Sequence, residues 1–318
     1  MLLVYLAIKN LSMSSWMITG ANGNLGKRLL TTLLQDAEVS AVHAVVRSER
    51  AAQTIKDLEL PDTSHERLQV HVLDYADVQA LKAVAQHCTR AVHLVGILKE
   101  TRQASYFDAH EASSQALAEA LAESPVEHIS YLSIVGSKPD AGNACLASKG
   151  AAEQILLSGP TPVCVLRVPM VLGEGDYASF ALSKRARSGT SIAFRASSLE
   201  QPIYAGDVVA AVVAAGQRQV TGSLDLGGPE VLTRSALHDR AAAAVGGVTK
   251  TLSLPLFIGQ AMAGLFSAVL ANPPLTPAML GVLDHDDEVD PAPALAALGL
   301  ESLTPLDDML AAVLGSKH

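Results

Sequence analysis

Cysteine is scarce in this chain of 318 residues: Cys88, Cys145 and Cys164 are the full set. An odd trio without metal-ligand spacing argues against a disulfide framework and a zinc site, so no metal is assigned, and it fits a reducing compartment. Basic charge is also short, with 23 Lys and Arg against 32 Asp and Glu for a net charge of −9. A nucleic-acid surface needs a basic face to neutralise phosphates, so direct nucleic-acid binding is not expected. A secretory leader is missing too. Met1 to Ile8 is apolar but has neither a basic start nor a small-residue cleavage site, so the expected location is cytoplasmic. Met13 stands just before the first expected strand, and residues 1–12 receive no function.

Charge is absent altogether from Thr251 to Leu283. The apolar helical piece from Phe257 to Leu270 is too short and interrupted for a bilayer span, which needs roughly 20 consecutive apolar residues. The stretch reads as core of a small domain, as a substrate wall, or as a surface for a second copy of the chain or a peripheral membrane contact. There is no internal repeat and no low-complexity linker.

What is present is alternation. Short apolar runs expected as strands lie at Trp16–Ile18, Ala41–Val46, Leu68–Leu73, Ala91–Gly96, His128–Ile134 and Pro162–Val168, with helical patterns between them, including Ser105–Glu123 and Lys149–Leu157. Repeated strand and helix indicate an α/β, Rossmann-type doubly wound parallel sheet. After residue 175 the pattern loosens. Asp207 and Thr233 read as helix caps, and Ser223–Glu230 as a strand and turn. The expected division is a dinucleotide-binding core at 13–175 and a smaller substrate or partner region at 176–318, interleaved with the core.

The first strand runs into Thr19-Gly20-Ala21-Asn22-Gly23-Asn24-Leu25-Gly26 and then a helix. In such a turn Gly20 permits the reversal, Gly23 lets backbone approach a pyrophosphate, and Gly26 lets the helix pack close to the strand, while the helix start favours an anion. The second strand ends in Arg47 rather than an acid, so a guanidinium is offered to a 2'-phosphate; the alternative is a solvated strand-end arginine. Asp74, after the third strand, either reaches an adenine or caps the next helix. Val95 and Gly96 end the fourth strand where backbone would lie against a cofactor, and His93 reads as a strand histidine.

Together the glycine turn, Val92-His93-Leu94-Val95-Gly96-Ile97-Leu98, Ser133, Lys149, Pro202 to Asp207, Leu226-Gly227-Gly228-Pro229-Glu230 and Asn272-Pro273-Pro274-Leu275-Thr276 resemble the atypical extended short-chain dehydrogenase/reductase family. The branch is similar to the nucleotide-binding accessory subunit of respiratory complex I and its bacterial relatives, near the NmrA-like regulators. The resemblance implies that Ser133 orients substrate, that Lys149 holds the cofactor ribose, and that His110 occupies a position where relatives carry Asn or His. It also places Cys145 where the family's Tyr-x-x-x-Lys element has its proton-donating tyrosine. A cysteine side chain is too short to reach a carbonyl that a tyrosine protonates.

The expectation is therefore a nicotinamide dinucleotide site, NADP(H) favoured over NAD(H), with weak or absent redox chemistry and a cofactor-responsive or assembly role. The alternative is an NADPH-dependent reductase or epimerase/dehydratase-type enzyme on a small carbonyl or quinone substrate, with His110 or Tyr177 as the acid. Cys145→Tyr is expected to raise reductase activity if the pocket has room.

Overall fold

A computed structural model describes residues 13–270, 275–283 and 286–315. Residues 1–12 and the Asn272-Pro273-Pro274 part of the family motif lie outside the described residues.

The chain runs through β1 (Ser14–Thr19), α1 (Asn24–Gln35), β2 (Val39–Val46), α2 (Glu49–Lys56), β3 (Leu68–Val72), α3 (Val78–Ala85) and β4 (Arg90–His93). It continues through a π-helical turn (Phe107–Ala112), α4 (Ser113–Leu121), β5 (His128–Ile134), α5 (Ala144–Leu157) and β6 (Val163–Val168). Then come α6 (Tyr177–Ala186), α7 (Ala205–Arg218), β7 (Gly222–Asp225), α8 (Arg234–Ala244) and α9 (Leu256–Val269). The strands form one seven-stranded sheet in the order β7-β6-β5-β4-β1-β2-β3, and every neighbouring pair is parallel. This is the expected Rossmann-type α/β fold. The chain starts in the middle at β1 and winds outward both ways, so β1 and β4 diverge and open a crevice above their C-terminal ends.

Burial on both faces explains why the central strands are largely apolar. One face of the sheet packs Trp16, Ile18, Val42 and Val92 against Leu29, Leu33, Val208 and Val212 of α1 and α7. The other packs Met17, Val45, Ile129 and Tyr131 against Leu81, Leu117 and Leu156 of α3, α4 and α5. Segments from beyond residue 176 thus supply both an edge strand, β7, and a covering helix, α7. A separate cluster of Leu172, Leu182, Leu237, Met309 and Val313 holds a second lobe.

Two local expectations change. Thr233 does cap α8, its side chain accepting from Ala236 N–H at 3.2 Å. Asp207 does not cap α7, because that helix already starts at Ala205. Its carboxylate instead accepts from the backbone N–H and hydroxyl of Thr304, at 2.8 and 2.9 Å. The helix expected at 105–123 is also broken in character, its first part winding as a π-turn that carries His110.

Candidate functional site

The crevice begins at the turn between β1 and α1. Gly20 has φ +78°, and a Cβ there would meet the Leu94 carbonyl carbon at 3.1 Å, so glycine is required on both counts. A Cβ on Gly26 would lie 2.6 Å from the Ala21 carbonyl oxygen, which fixes how closely α1 approaches the strand end. Gly23 is the helix cap, and neither a capping side chain nor an acidic residue occupies the first turn of α1. The leading N–H groups therefore remain available to an anion. Ala21 is buried beneath the turn and Leu25 packs on the core. Asn24 is already engaged: its amide donates to Gly175 O at 3.0 Å and to the Asp176 carboxylate, latching the loop that follows β6.

A cleft of about 690 Å³ extends from this turn, with Gly20, Asn22 and Gly23 on its wall. Arg47, Ser48 and Tyr75 also line it, as do Leu94, Val95, Gly96 and the segment Thr101 to Ala104. Arg47 is exposed, with its guanidinium 5.6 Å from the centre of the Tyr75 ring. Ser48 caps α2 by accepting from Ala51 N–H at 3.2 Å. Asp74 turns onto its own backbone, accepting from Ala76 N–H at 3.0 Å, and is not on the cleft wall; Asp77 caps α3. Tyr75 is there instead. Its hydroxyl accepts from Gly20 N–H at 3.1 Å and donates to Val45 O at 3.3 Å, bracing the first glycine. Nothing in the sequence singled out Tyr75, because its role depends on a contact 55 residues away.

At the other end the structure gathers Lys149, His110, Cys145 and Gly96. Lys149 is 6% exposed. Its ammonium donates to Leu132 O at 2.9 Å and Val95 O at 3.5 Å, and lies 4.6 Å from the centre of the Tyr131 ring. Burial lowers its pKa to about 8, against the opposing pull of Cys145 and Glu153. A Cβ on Gly96 would come within 3.1 Å of the Lys149 nitrogen and 3.4 Å of His110 Nε2. His110 is fully buried and stacks on Tyr106. Burial, and then the Lys149 charge, lower its pKa to about 3, so the ring is neutral. Its Nε2 accepts from Ile97 N–H at 3.1 Å, which leaves the proton on Nδ1, a buried atom with no protein partner.

Cys145 is 0% exposed, and its thiol donates to Ile97 O at 3.6 Å beside the Tyr106 hydroxyl. Burial pushes that thiol up to about 11, although Lys149 pulls it down. Tyr106, which the sequence reading passed over, donates to Leu98 O at 2.9 Å. Cys145, His110 and Tyr106 thus all fasten the segment after β4, whose continuation at Thr101 to Ala104 borders the cleft. Ser133, at 1% exposure, donates its hydroxyl hydrogen bond to Glu153, and Glu153 is paired with Arg167. His93 lies in the core between Thr19, 2.6 Å away, and Ser113, 3.3 Å away. Tyr177 starts α6 on the surface, 78% exposed. Among the described residues no group of three or more His, Cys, Asp or Glu is arranged to hold a metal.

A glycine cradle at an uncapped helix start, a long cleft and an unpartnered imidazole N–H beside a buried lysine fit a dinucleotide. Gly20, Asn22 and Gly23 would hold its pyrophosphate, Arg47 and Ser48 its adenosine ribose, and Lys149 and Gly96 its nicotinamide end.

Comparisons with known proteins bear on the fold and the class of cofactor. The chain is 27% identical over 210 residues to the ceramide reductase of Caulobacter vibrioides, covering 66% of this chain and 63% of that protein. It is 26% identical over 196 residues to mitochondrial NADH dehydrogenase [ubiquinone] 1 alpha subcomplex subunit 9 of Arabidopsis thaliana, covering 60% of this chain and 49% of that one. In both cases the chain matches less than two thirds of the relative's length. The Bordetella bronchiseptica enzyme WbmG, solved with NAD, shares the fold at TM-score 0.70 and 17% identity, with 97% of this chain and 95% of that one covered. The UDP-glucuronic acid 4-epimerase of Bacillus cereus, solved with UDP-glucuronic acid and NAD, does so at TM-score 0.69 and 18% identity, covering 95% and 98%. The resemblance to short-chain dehydrogenase-type proteins read from the sequence holds. Residues 20–193, more than half the chain and the whole of the crevice, match the family described as NAD(P)H-binding, and to that family the chain belongs.

Proposed function

We propose that this protein binds NADP(H) as a cofactor-responsive or assembly component and lacks tyrosine-type carbonyl reduction. The carrying observation is the state of Cys145: its sulfur is sealed from solvent and bonded to the Ile97 carbonyl, so no proton donor projects from this position. Its neighbours support the same reading, since the Ser133 hydroxyl donates its hydrogen bond to Glu153 and Lys149 donates to Leu132 O. When bound, the nicotinamide would supply hydride chemistry; the chain supplies binding, with residues 13–175 as the cofactor unit and 176–318 as the substrate or partner unit. Three unpaired, buried cysteines suit a reducing cytoplasm. NADPH binding together with its oxidation across a carbonyl and quinone panel tests the proposal. Binding with turnover at background is expected, whereas robust turnover abolished by Cys145→Ala would make the thiol catalytic and overturn it.

A second reading is an NADPH-dependent reductase that draws its proton elsewhere, favoured by the likeness to a ceramide reductase and by the Tyr106 hydroxyl beside Cys145. Turnover that survives Cys145→Ala and is lost in Tyr106→Phe or His110→Ala selects it. Tyr177 is the next residue to replace if both of those variants remain active.

Arg47 supports a preference for NADP(H), since it borders the cleft with no acid at the end of β2. A charge-assisted contact to a 2'-phosphate contributes about 1.5–3 kcal/mol, roughly 10- to 100-fold in affinity. Calorimetry should show NADPH bound more tightly than NADH, with the difference lost in Arg47→Ala.

Lys149 sets a pH dependence. Its ammonium is the form that donates to a ribose, and with its pKa lowered to about 8 that form is lost as pH rises past 8. NADPH affinity should therefore fall by about tenfold between neutral pH and pH values well above 8. Lys149→Met should bind weakly at both ends of the range, with a flat profile.

A further inference from the structure

The second lobe presents a face that the cofactor cleft does not use. Strands Thr190–Phe194 and Lys250–Leu254 pair in parallel, placing Thr190 opposite Lys250, Ile192 opposite Leu252 and Phe194 opposite Leu254. Alternation turns Ser191 and Ala193 inward, where Ser191 bonds His238 of α8 at 3.0 Å. The other rank faces out, leaving Ile192 58% and Leu252 44% exposed. α9 extends this face: a Cβ on Gly259 would lie 3.0 Å from the Phe194 ring, so the helix rests directly on the outer rank. Gly259 and Ala263, four residues apart, are its buried stripe. Phe257, Leu265 and Val269 stay outside, 69%, 63% and 72% exposed.

Exposed bases border this face. Tyr177 to Leu199 contains four basic residues and no acid, and Arg240 to Leu283 contains Arg240, which is paired with Glu230 and Asp307, and Lys250, in a protein of net charge −9. Lys250 stands on the outer rank beside Thr190, while Lys184 and Arg187, both exposed, flank the turn that feeds that strand. Asp286 and Asp287 reach this lobe from the C-terminal segment beside Leu199, where Asp286 pairs with Arg195.

We propose that this face docks on a bilayer surface containing anionic lipids, with Phe257, Leu265 and Val269 entering the interface and Lys184, Arg187 and Lys250 meeting the headgroups. Charge complementarity decides the occupant. A two-fold pairing of copies through this patch would bring two cationic rims together, whereas an anionic leaflet attracts them. Geometry agrees: α9 spans 14 residues, about 21 Å at helical rise, too short to cross a membrane but suited to lying in its plane. Among the described residues no helix is long and apolar enough to cross a membrane.

Co-sedimentation with phosphatidylcholine vesicles, with and without about 30% phosphatidylglycerol, tests the proposal. The full chain should bind the anionic vesicles at least about tenfold more tightly, with the difference suppressed by high salt. Phe257→Ser with Leu265→Ser should weaken binding to both vesicles about tenfold; Lys184→Ala with Lys250→Ala should weaken only anionic binding, about 30-fold. All four side chains are exposed, so melting temperature and NADPH affinity should stay unchanged, and the result is independent of the cofactor reading. Failure of the wild type to sediment, or binding indifferent to all four substitutions, overturns the proposal. Self-association abolished by the serine variant, with vesicles ignored throughout, would assign the face to a second copy instead.

Discussion

Glu153→Ala should lower the unfolding free energy by about 3 kcal/mol, because it removes the buried partner of an ion pair and leaves the other with only a weak contact. The Glu153 side chain is 3% exposed, and its carboxylate takes Arg167 Nε at 3.0 Å on both oxygens, the Arg167 Nη2 on one, and the Ser133 hydroxyl on the other. Arg167 would be left with Asp225, 3.5 Å away at a half-exposed site. That carboxylate ties α5 to β5 and β6, so its loss should loosen the helix that carries both Cys145 and Lys149. Denaturant titration reads the effect as a lower midpoint at unchanged slope. Glu153→Gln keeps the shape and one acceptor, and should recover part of the loss. A loss below about 1 kcal/mol in the alanine variant would show the pair to be screened by solvent through Arg167, whose side chain is 26% exposed.

The parts of this fold that could be read from sequence are those fixed by local pattern. β5 is legible at His128–Ile134, where it forms, because Ile129, Tyr131, Leu132 and Ile134 alternate closely enough with small or buried polar residues to mark a strand inside the sheet. The glycine turn was legible since positive φ at Gly20 and close approach at Gly26 are constraints that few other residues meet. Asp207 misled because acids are favoured both as caps and within the first turn, and only its contact with Thr304, 97 residues away, separates the two. Tyr75 and Tyr106 escaped for the same reason, since each acts through partners that the fold brings near. Ser133 stands out as a strand-end serine, but the acid that accepts its hydrogen bond lies one helix later. The π-turn around His110 was equally invisible, because its side-chain pattern continues that of an ordinary helix.

Cys145→Tyr brings these long-range contacts to bear on the site. From the chain alone, restoring a tyrosine looks like a route to reductase activity, given room. The structure leaves none: Cys145 is fully buried, its sulfur meets the Ile97 carbonyl, and the Tyr106 hydroxyl stands beside it. A phenol ring in that space must push away either Tyr106 or the backbone at Ile97 and Leu98. Overpacking of this kind typically costs about 1–3 kcal/mol, and a full aromatic ring belongs at the upper end. The displaced backbone continues into Thr101, Gln103 and Ala104 on the cleft wall, so NADPH affinity should fall together with stability. The expected result is a lower melting temperature, weaker NADPH binding and no gain in carbonyl reduction. Cys145→Ser, which adds no volume, should retain the fold and the cofactor. A tyrosine variant that melts like the wild type and reduces carbonyls would mean that the segment after β4 swings clear, and that Cys145 marks a vacated donor position.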